Sequence, residues 1–356
     1  MNQSKRIFYF DVLRALAIIG IVFCHAAMPF VISGIHTSEF YVSAFFDCLR
    51  DFSIPVFVML SGALLIGKMD SFKDFFKKRL SRIFIPFFFW VIVYIIYSSA
   101  CITHGFSLSN AIDIFFGTSG TFGVTFWFIW MIIIAYFGIF LINKCMAHFE
   151  NPDKFMNALA LVALAYILIC DFSSFNPLAS RIVYFISFLA YVVIGYVITH
   201  NDWLESRFDS RILLLIASVL AIVSYCSYIF NFVVPRSVSA GQFIYLSYFN
   251  VTILFISLMV FLSFKFLSSG GYLEKIEHNA LGNAIALISK YSFGIYLVHY
   301  LILHALKMNV VKFVNYLGQS PLIWIPVFVV LAAVISLVIL MILDKIPYLR
   351  KVTGNN

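Results

Sequence analysis

Arg14 and His25 stand eleven residues apart in an apolar stretch of the chain. On an α-helix that spacing is close to three turns, so both side chains fall on one face, about 16 Å apart along the axis. A guanidinium binds phosphate through a rigid fork of donors, and an imidazole serves as a general base near neutral pH. The pair therefore suits a long ligand lying along the helix, its anionic end at Arg14 and its reacting group at His25. Asp11, three residues before Arg14, is spaced to pair with the guanidinium and so lower the cost of burying it. A structural alternative stands beside this reading, in which Arg14 reaches to the headgroups and His25 satisfies a hydrogen bond inside a bundle. A charge at the middle of a bilayer costs at least roughly 2.5–3.5 kcal/mol, so each such residue calls for an account.

Other polar residues sit in or beside apolar runs. Asp47, Arg50 and Asp51 form a charged cluster at the outer end of the second apolar stretch, spaced so that Asp47 faces both of the others. Ser61 and Gly62 are small enough to let helices approach closely. Tyr296 and His299 share one helix face at i and i+3, and Trp127 reads either as an interfacial anchor or as the lining of a sugar site. The run 67–82 carries Lys68, Lys73, Lys77, Lys78, Arg79 and Arg82, which is either an anchor at the inner membrane face or, at Arg79 and Arg82, a phosphate site. Gly62-Ala-Leu-Leu-Ile-Gly67-Lys68-Met69 nearly spells a phosphate-binding loop, but it lacks the final Ser or Thr and ends a helix instead of following a strand.

The elements that must position these residues are transmembrane helices. Of 356 residues, 63% are hydrophobic and 11% charged, far from the roughly 45–50% and 25% of soluble chains. That balance excludes a soluble enzyme core, and the 19% aromatic content excludes disorder and a coiled coil. Ten apolar stretches are long enough to cross a bilayer, at about 7–28, 48–66, 83–100, 126–142, 155–171, 181–199, 212–230, 244–264, 291–308 and 321–343. Asp11 and Arg14 interrupt the first, which reads as a retained helix and not a cleaved leader. Alternate connections carry 18 of the 24 Lys and Arg residues, so both termini are expected in the cytoplasm. The excess of basic over acidic residues reports topology and not nucleic-acid binding, because the basic residues are dispersed between apolar runs. Six scattered cysteines indicate neither a metal site nor a disulfide framework. The fold class is thus all-α, a single polytopic bundle of about ten helices over 1–345 with a short cytoplasmic tail at 346–356.

The motifs occur in an order that resembles a known family. Asp11-Val-Leu-Arg14-Ala followed by His25 is similar to the arginine-x10-histidine signature of the acyltransferase-3 family of membrane acyltransferases. Ile54-Pro55-Val56-Phe57-Val58-Met59-Leu60-Ser61-Gly62 resembles the family's second-span motif, and Arg79-Leu-Ser-Arg82-Ile-Phe-Ile-Pro86 the one that follows it. Trp127-Phe128 and Ser292-Phe293-Gly294-Ile295-Tyr296-Leu297-Val298-His299 match the fourth- and ninth-span motifs. The pattern looks most like the branch that contains the O-acetyltransferase of enterobacterial common antigen. Two departures stand out: Asp51 occupies a place where the family often has a basic residue, with Arg50 one position earlier, and Thr125-Phe126-Trp127 replaces the frequent His-Leu-Trp.

The resemblance implies a multi-pass plasma-membrane enzyme that holds no metal and no resident cofactor. It implies a cytosolic acyl-CoA, acetyl-CoA first among them, as donor substrate, and a hydroxyl on a cell-surface or lipid-linked glycan as acceptor. His25 is then the catalytic base, Arg14, Arg79 and Arg82 hold the donor phosphates, and Asp11, Asp47, Arg50, Ser61, Trp127, Tyr296 and His299 support the site. The rival reading is a transporter or flippase moving an anionic or lipid-linked glycan past Arg14, His25, Asp47 and Arg50. A third is an interaction protein whose acyltransferase site has decayed.

Overall fold

The computed structural model describes residues 7–33, 39–68, 71–172, 181–240, 248–317 and 320–355. Among these, ten helices are long and apolar enough to cross a membrane: α1 (Phe8–Val31), α2 (Glu39–Leu65), α3 (Phe72–Cys101), α4 (Thr125–Met146), α5 (Pro152–Asp171), α6 (Val183–His200), α7 (Ser210–Asn231), α8 (Val251–Ser269), α9 (Ala280–Met308) and α10 (Pro321–Lys345). The described chain is all-α, as expected. Lys5 and Arg6, counted toward its orientation, lie outside the described residues, as does the side chain of Lys312.

Several helices outrun their apolar stretches, and each extension has a local cause. At α3, Ser71 caps the helix by accepting from the Asp74 amide at 3.1 Å while its hydroxyl donates to the Asp74 carboxylate at 2.7 Å. The basic run therefore lies on the first turns of α3 and not in a loop. Its register buries Phe75 and Phe76 and leaves Lys73, Lys77 and Lys78 exposed. α2 begins at Glu39, because Phe40 to Phe46 form about two further, largely apolar turns, and its two segments Glu39–Asp47 and Leu49–Leu65 meet at Cys48. Asp47, Arg50 and Asp51 consequently lie within the span and not at its outer end, with Asp47 fully buried. α8 runs to Ser269, past the apolar stretch 244–264, and buries Lys265. Its ammonium donates to the carbonyls of Ile198 at 2.9 Å and Asn201 at 2.6 Å and pairs with Asp202 and Glu205, so it caps the end of α6.

α1 is the central helix, packed against α2, α8, α9 and α10. α2 in turn packs closely on α6, and two glycines set that approach. A Cβ on Gly62 would meet the Val192 carbonyl, and one on Gly195 would meet the Met59 carbonyl, so backbone lies on backbone from both sides. Asn143 closes the end of α2, accepting from the Gly67 amide at 2.8 Å and donating to the Leu65 carbonyl at 3.0 Å. The sequence resembling a phosphate loop is this helix terminus. The cysteines are free, Cys24 and Cys48 buried and Cys101 and Cys145 exposed. The segment 346–355 folds back onto the bundle: Val352 and Thr353 are buried, and Trp90 on α3 donates its indole N–H to the Val352 carbonyl at 3.1 Å.

Replacing Gly62 by Ala is expected to destabilise the protein by about 1–3 kcal/mol, the usual range for overpacking a tight contact. Thermal unfolding in detergent reads the effect, and an unchanged transition would show that the α2–α6 contact is loose.

Candidate functional site

Arg14, Ile21 and His25 follow one another on α1 at seven- and four-residue steps, which keeps them on one face. That face looks into two adjoining cavities. The first, about 670 Å³, is lined by His25, Cys24, Arg50, Thr118, Thr125, Trp127, Tyr184, Phe185 and Tyr248 among others. The second, about 420 Å³, is lined by Arg14, Ser61, Lys68, Lys78, Arg79 and Arg82. Ile21, Phe128 and Tyr296 form walls of both. A third cavity of about 740 Å³ shares Arg14, Arg82, Ser292, Phe293 and Gly354 with the second and adds Asn283, Lys290 and Asn355. The three make a series along the bundle, basic at one end and centred on an imidazole at the other.

The basic end is held by local contacts. Arg14 pairs with Asp11 at 3.7 Å, and Asp11, buried, accepts from the Ser289 hydroxyl of α9 at 2.5 Å. Arg79 lies 4.0 Å over the Phe75 ring and donates to the Phe75 carbonyl at 3.3 Å, which turns its guanidinium along the helix toward the cavity. Ser61 donates to the Phe57 carbonyl at 3.1 Å, so its hydroxyl back-bonds to its own helix while its side chain lines the cavity.

Around His25 the surroundings are aromatic. Its ring centroid lies 5.3 Å from that of His299 and 4.7 Å from that of Tyr300, both on α9. His25 Nδ1, His299 Nε2 and Thr125 Oγ1 are buried atoms without a hydrogen-bond partner among the described residues. His299 uses its other nitrogen against the Ile295 carbonyl at 2.9 Å, and Tyr296 donates to the Thr125 carbonyl, tying α9 to α4. Buried polar atoms left unpaired are costly, and at the wall of a cavity they are the atoms positioned to meet a polar substrate.

Trp127 is not an outlying anchor: it stacks near Phe185 at 6.2 Å and Tyr248 at 6.0 Å and lines the His25 cavity. Tyr248, outside the spans, has its hydroxyl pushed well above the usual range by burial, and its carbonyl accepts from Tyr191. The turn after the short helix Leu108–Phe116 also reaches this cavity through Gly117 and Thr118. Gly117 has a φ of +64° and no room for a Cβ against the Trp127 amide. Thr118 and Ser119 hydrogen-bond to the Asp113 carboxylate and hold it below the ordinary carboxylate range.

The predicted set thus divides. Arg14, Arg79, Arg82 and Ser61 meet at the second cavity; His25, Arg50 and Trp127 meet at the first; Tyr296 stands between, with His299 behind it. Asp47 does not act as the hub of its cluster. Arg50 pairs with Asp51 at 3.1 Å, Tyr228 donates to Asp51 at 2.8 Å, and Asp47 accepts from the Cys24 thiol at 3.6 Å. Sequence reasoning missed Tyr184, Phe185 and Tyr248, which belong to no motif, and Lys307, whose ammonium donates to the His25 carbonyl at 2.9 Å. The one available signal was the position of Lys307 at the end of an apolar stretch.

Comparison with known proteins agrees with this layout in extent. The sequence model of a family described as an acyltransferase domain matches residues 7–341. The chain is 24% identical over 167 residues to nodulation protein NolL of Mesorhizobium japonicum, which is 46% of this chain and 42% of that protein. It is likewise 24% identical over 166 residues to nodulation protein NolL of Sinorhizobium fredii, which is 46% of this chain and 43% of that one. The match therefore spans less than half the length of each relative. No solved structure matches the chain.

The Arg50–Asp51–Tyr228 contact carries a prediction of its own. Asp51→Ala removes the buried carboxylate beside the half-buried Arg50 and is expected to cost about 3–5 kcal/mol, whereas Tyr228→Phe removes only a hydrogen bond and costs about 1–3 kcal/mol. Thermal unfolding of both variants checks the order; a smaller loss for Asp51→Ala than for Tyr228→Phe contradicts it.

Proposed function

The chain belongs to the acyltransferase-3 family of membrane acyltransferases, and on that premise we propose that it transfers an acetyl group from acetyl-CoA to a glycan hydroxyl across a plasma membrane. The observation that carries the reading is the series of cavities from the Arg14, Arg79 and Arg82 cluster to His25. With the basic end in the cytosol, three guanidiniums and Lys68, Lys78 and Lys290 meet the nucleotide phosphates. The pantetheine arm runs past Ile21, Phe128 and Tyr296 and delivers the thioester beside His25.

At that point the His25 imidazole accepts the proton of the attacking hydroxyl, and the hydroxyl oxygen bonds to the thioester carbonyl carbon. The carbon–sulfur bond then breaks, and the departing CoA thiolate takes the proton back from the imidazolium. Trp127, Phe185, Tyr184 and Tyr248 form an aromatic wall of the kind on which a sugar ring packs. Thr125 keeps a hydroxyl at the position where relatives often carry histidine. The acceptor is a lipid-linked or cell-surface glycan, and the enterobacterial common antigen branch is the pattern this chain looks most like.

Envelope vesicles of the native host, which contain its own glycans, provide the test when they are given radiolabelled acetyl-CoA. His25→Ala is expected to lower label transfer by at least about 100-fold. Transfer that survives this substitution removes His25 as the base, and glycan movement without any acyl transfer selects a transporter. Arg79→Glu combined with Arg82→Glu is expected to raise KM for acetyl-CoA about 10-fold or more while the protein keeps its topology; an unchanged KM would mean that these arginines only anchor the helix.

A further inference from the structure

Helix α1 continues unbroken through Pro29. In an α-helix the amide of residue 29 would donate to the carbonyl of residue 25, and proline has no amide hydrogen to give. The carbonyl left out of the ladder belongs to His25. Lys307 of α9 donates its ammonium to that oxygen at 2.9 Å, across the α1–α9 contact. Tyr296, His299, Tyr300 and Lys307 recur on α9 at three-, one- and seven-residue steps, so the same face that packs the His25 ring also delivers the ammonium to its backbone.

We propose that Pro29 and Lys307 form a positioning device for His25: the proline frees the carbonyl of the base, and the lysine takes it, fixing that turn of α1 against α9. The proposal rests on the reading of His25 as the base. Two physical points support it. A leucine or methionine could fill the same volume at 307 without the cost of bringing an ammonium inside a bundle, so packing does not account for the residue. A backbone carbonyl that has lost its helical donor needs another in an apolar setting, and here the donor comes from the helix that also carries the ring neighbours of His25. The bond thus couples the rotation of the imidazole-bearing turn to α9. A general base displaced by even about 1 Å from its substrate loses up to about 100-fold in rate.

The test uses the full-length protein in envelope vesicles with radiolabelled acetyl-CoA, with rates taken per amount of folded protein. Lys307→Met is expected to lower kcat by about 10- to 100-fold with KM for acetyl-CoA unchanged, since Lys307 lies away from the donor-binding arginines. Lys307→Arg, which keeps a donor, is expected to retain most of the rate. Adding Pro29→Ala to Lys307→Met returns an amide hydrogen to the His25 carbonyl and is expected to restore at least part of the lost kcat. A purely structural lysine would lower the yield of folded protein and leave kcat per folded molecule intact, which overturns the proposal. So does a loss of kcat that Pro29→Ala fails to relieve. Transfer that persists in His25→Ala overturns the base reading itself, and this one with it, without reference to Lys307.

Discussion

A bilayer interior supplies no partner for a polar group, so every charge and every freed backbone atom in this bundle has to find one within the protein. The positions where that happens are the positions that organise the fold. Arg14 is held by Asp11, which Ser289 reaches from α9; Arg50 is held by Asp51, which Tyr228 reaches from α7; Lys265 of α8 closes the end of α6. The Ser289–Asp11, Tyr228–Asp51 and Lys265–Ile198 bonds join helices distant in sequence, and through them Asp11 and Asp51 each tie an arginine of their own helix to a second helix. Lys307 belongs to the same class, since its partner is a carbonyl that a proline has released.

These contacts leave α1 at the centre with one face turned inward over most of its length. Because Arg14, Ile21 and His25 share that face, the helix spans the distance between a phosphate-sized basic site and a buried imidazole with no loop involved. The walls around it are aromatic: Phe128 and Tyr296 between the cavities, Trp127, Phe185 and Tyr248 around the imidazole. Rings of this kind are large and stiff, with few rotamers to lose, and they can keep space open inside a bundle that flexible aliphatic side chains would fill. The close α2–α6 approach at Gly62 and Gly195 has the opposite effect, drawing the backbone in behind the cavities.

Much of this was legible in the chain. Hydropathy marks the ten spans found among the described residues, and the eleven-residue spacing by itself puts Arg14 and His25 on one face. What misled the reading was local. Charge marks the end of most spans, which by sequence puts Asp47, Arg50 and Asp51 at a terminus and Lys265 just past the stretch 244–264; in both places the helix continues, and the charges find partners inside the protein. Trp127 reads from sequence either as an interfacial anchor or as the lining of a site, and nothing in its own segment reveals that Phe185 and Tyr248 lie beside it. The pairing of Arg50 with its neighbour Asp51, and of Asp47 with Cys24 on α1, likewise departs from the i+3 and i+4 contacts that helical spacing suggests.

Period and composition are properties of consecutive residues, and they determined what depends on consecutive residues: the all-α class, the apolar spans and the shared face of α1. The motifs added the family. Which groups pair, and therefore which stay unpaired and face a cavity, depends on residues far apart in the chain. Asp11 meets Ser289 across 278 positions and His25 meets Lys307 across 282, separations at which no helical or strand period relates one residue to another. Only the packing of α9 on α1 decided those contacts, because in the interior of a membrane bundle the partner of a polar group is whatever the neighbouring helix presents at the same depth.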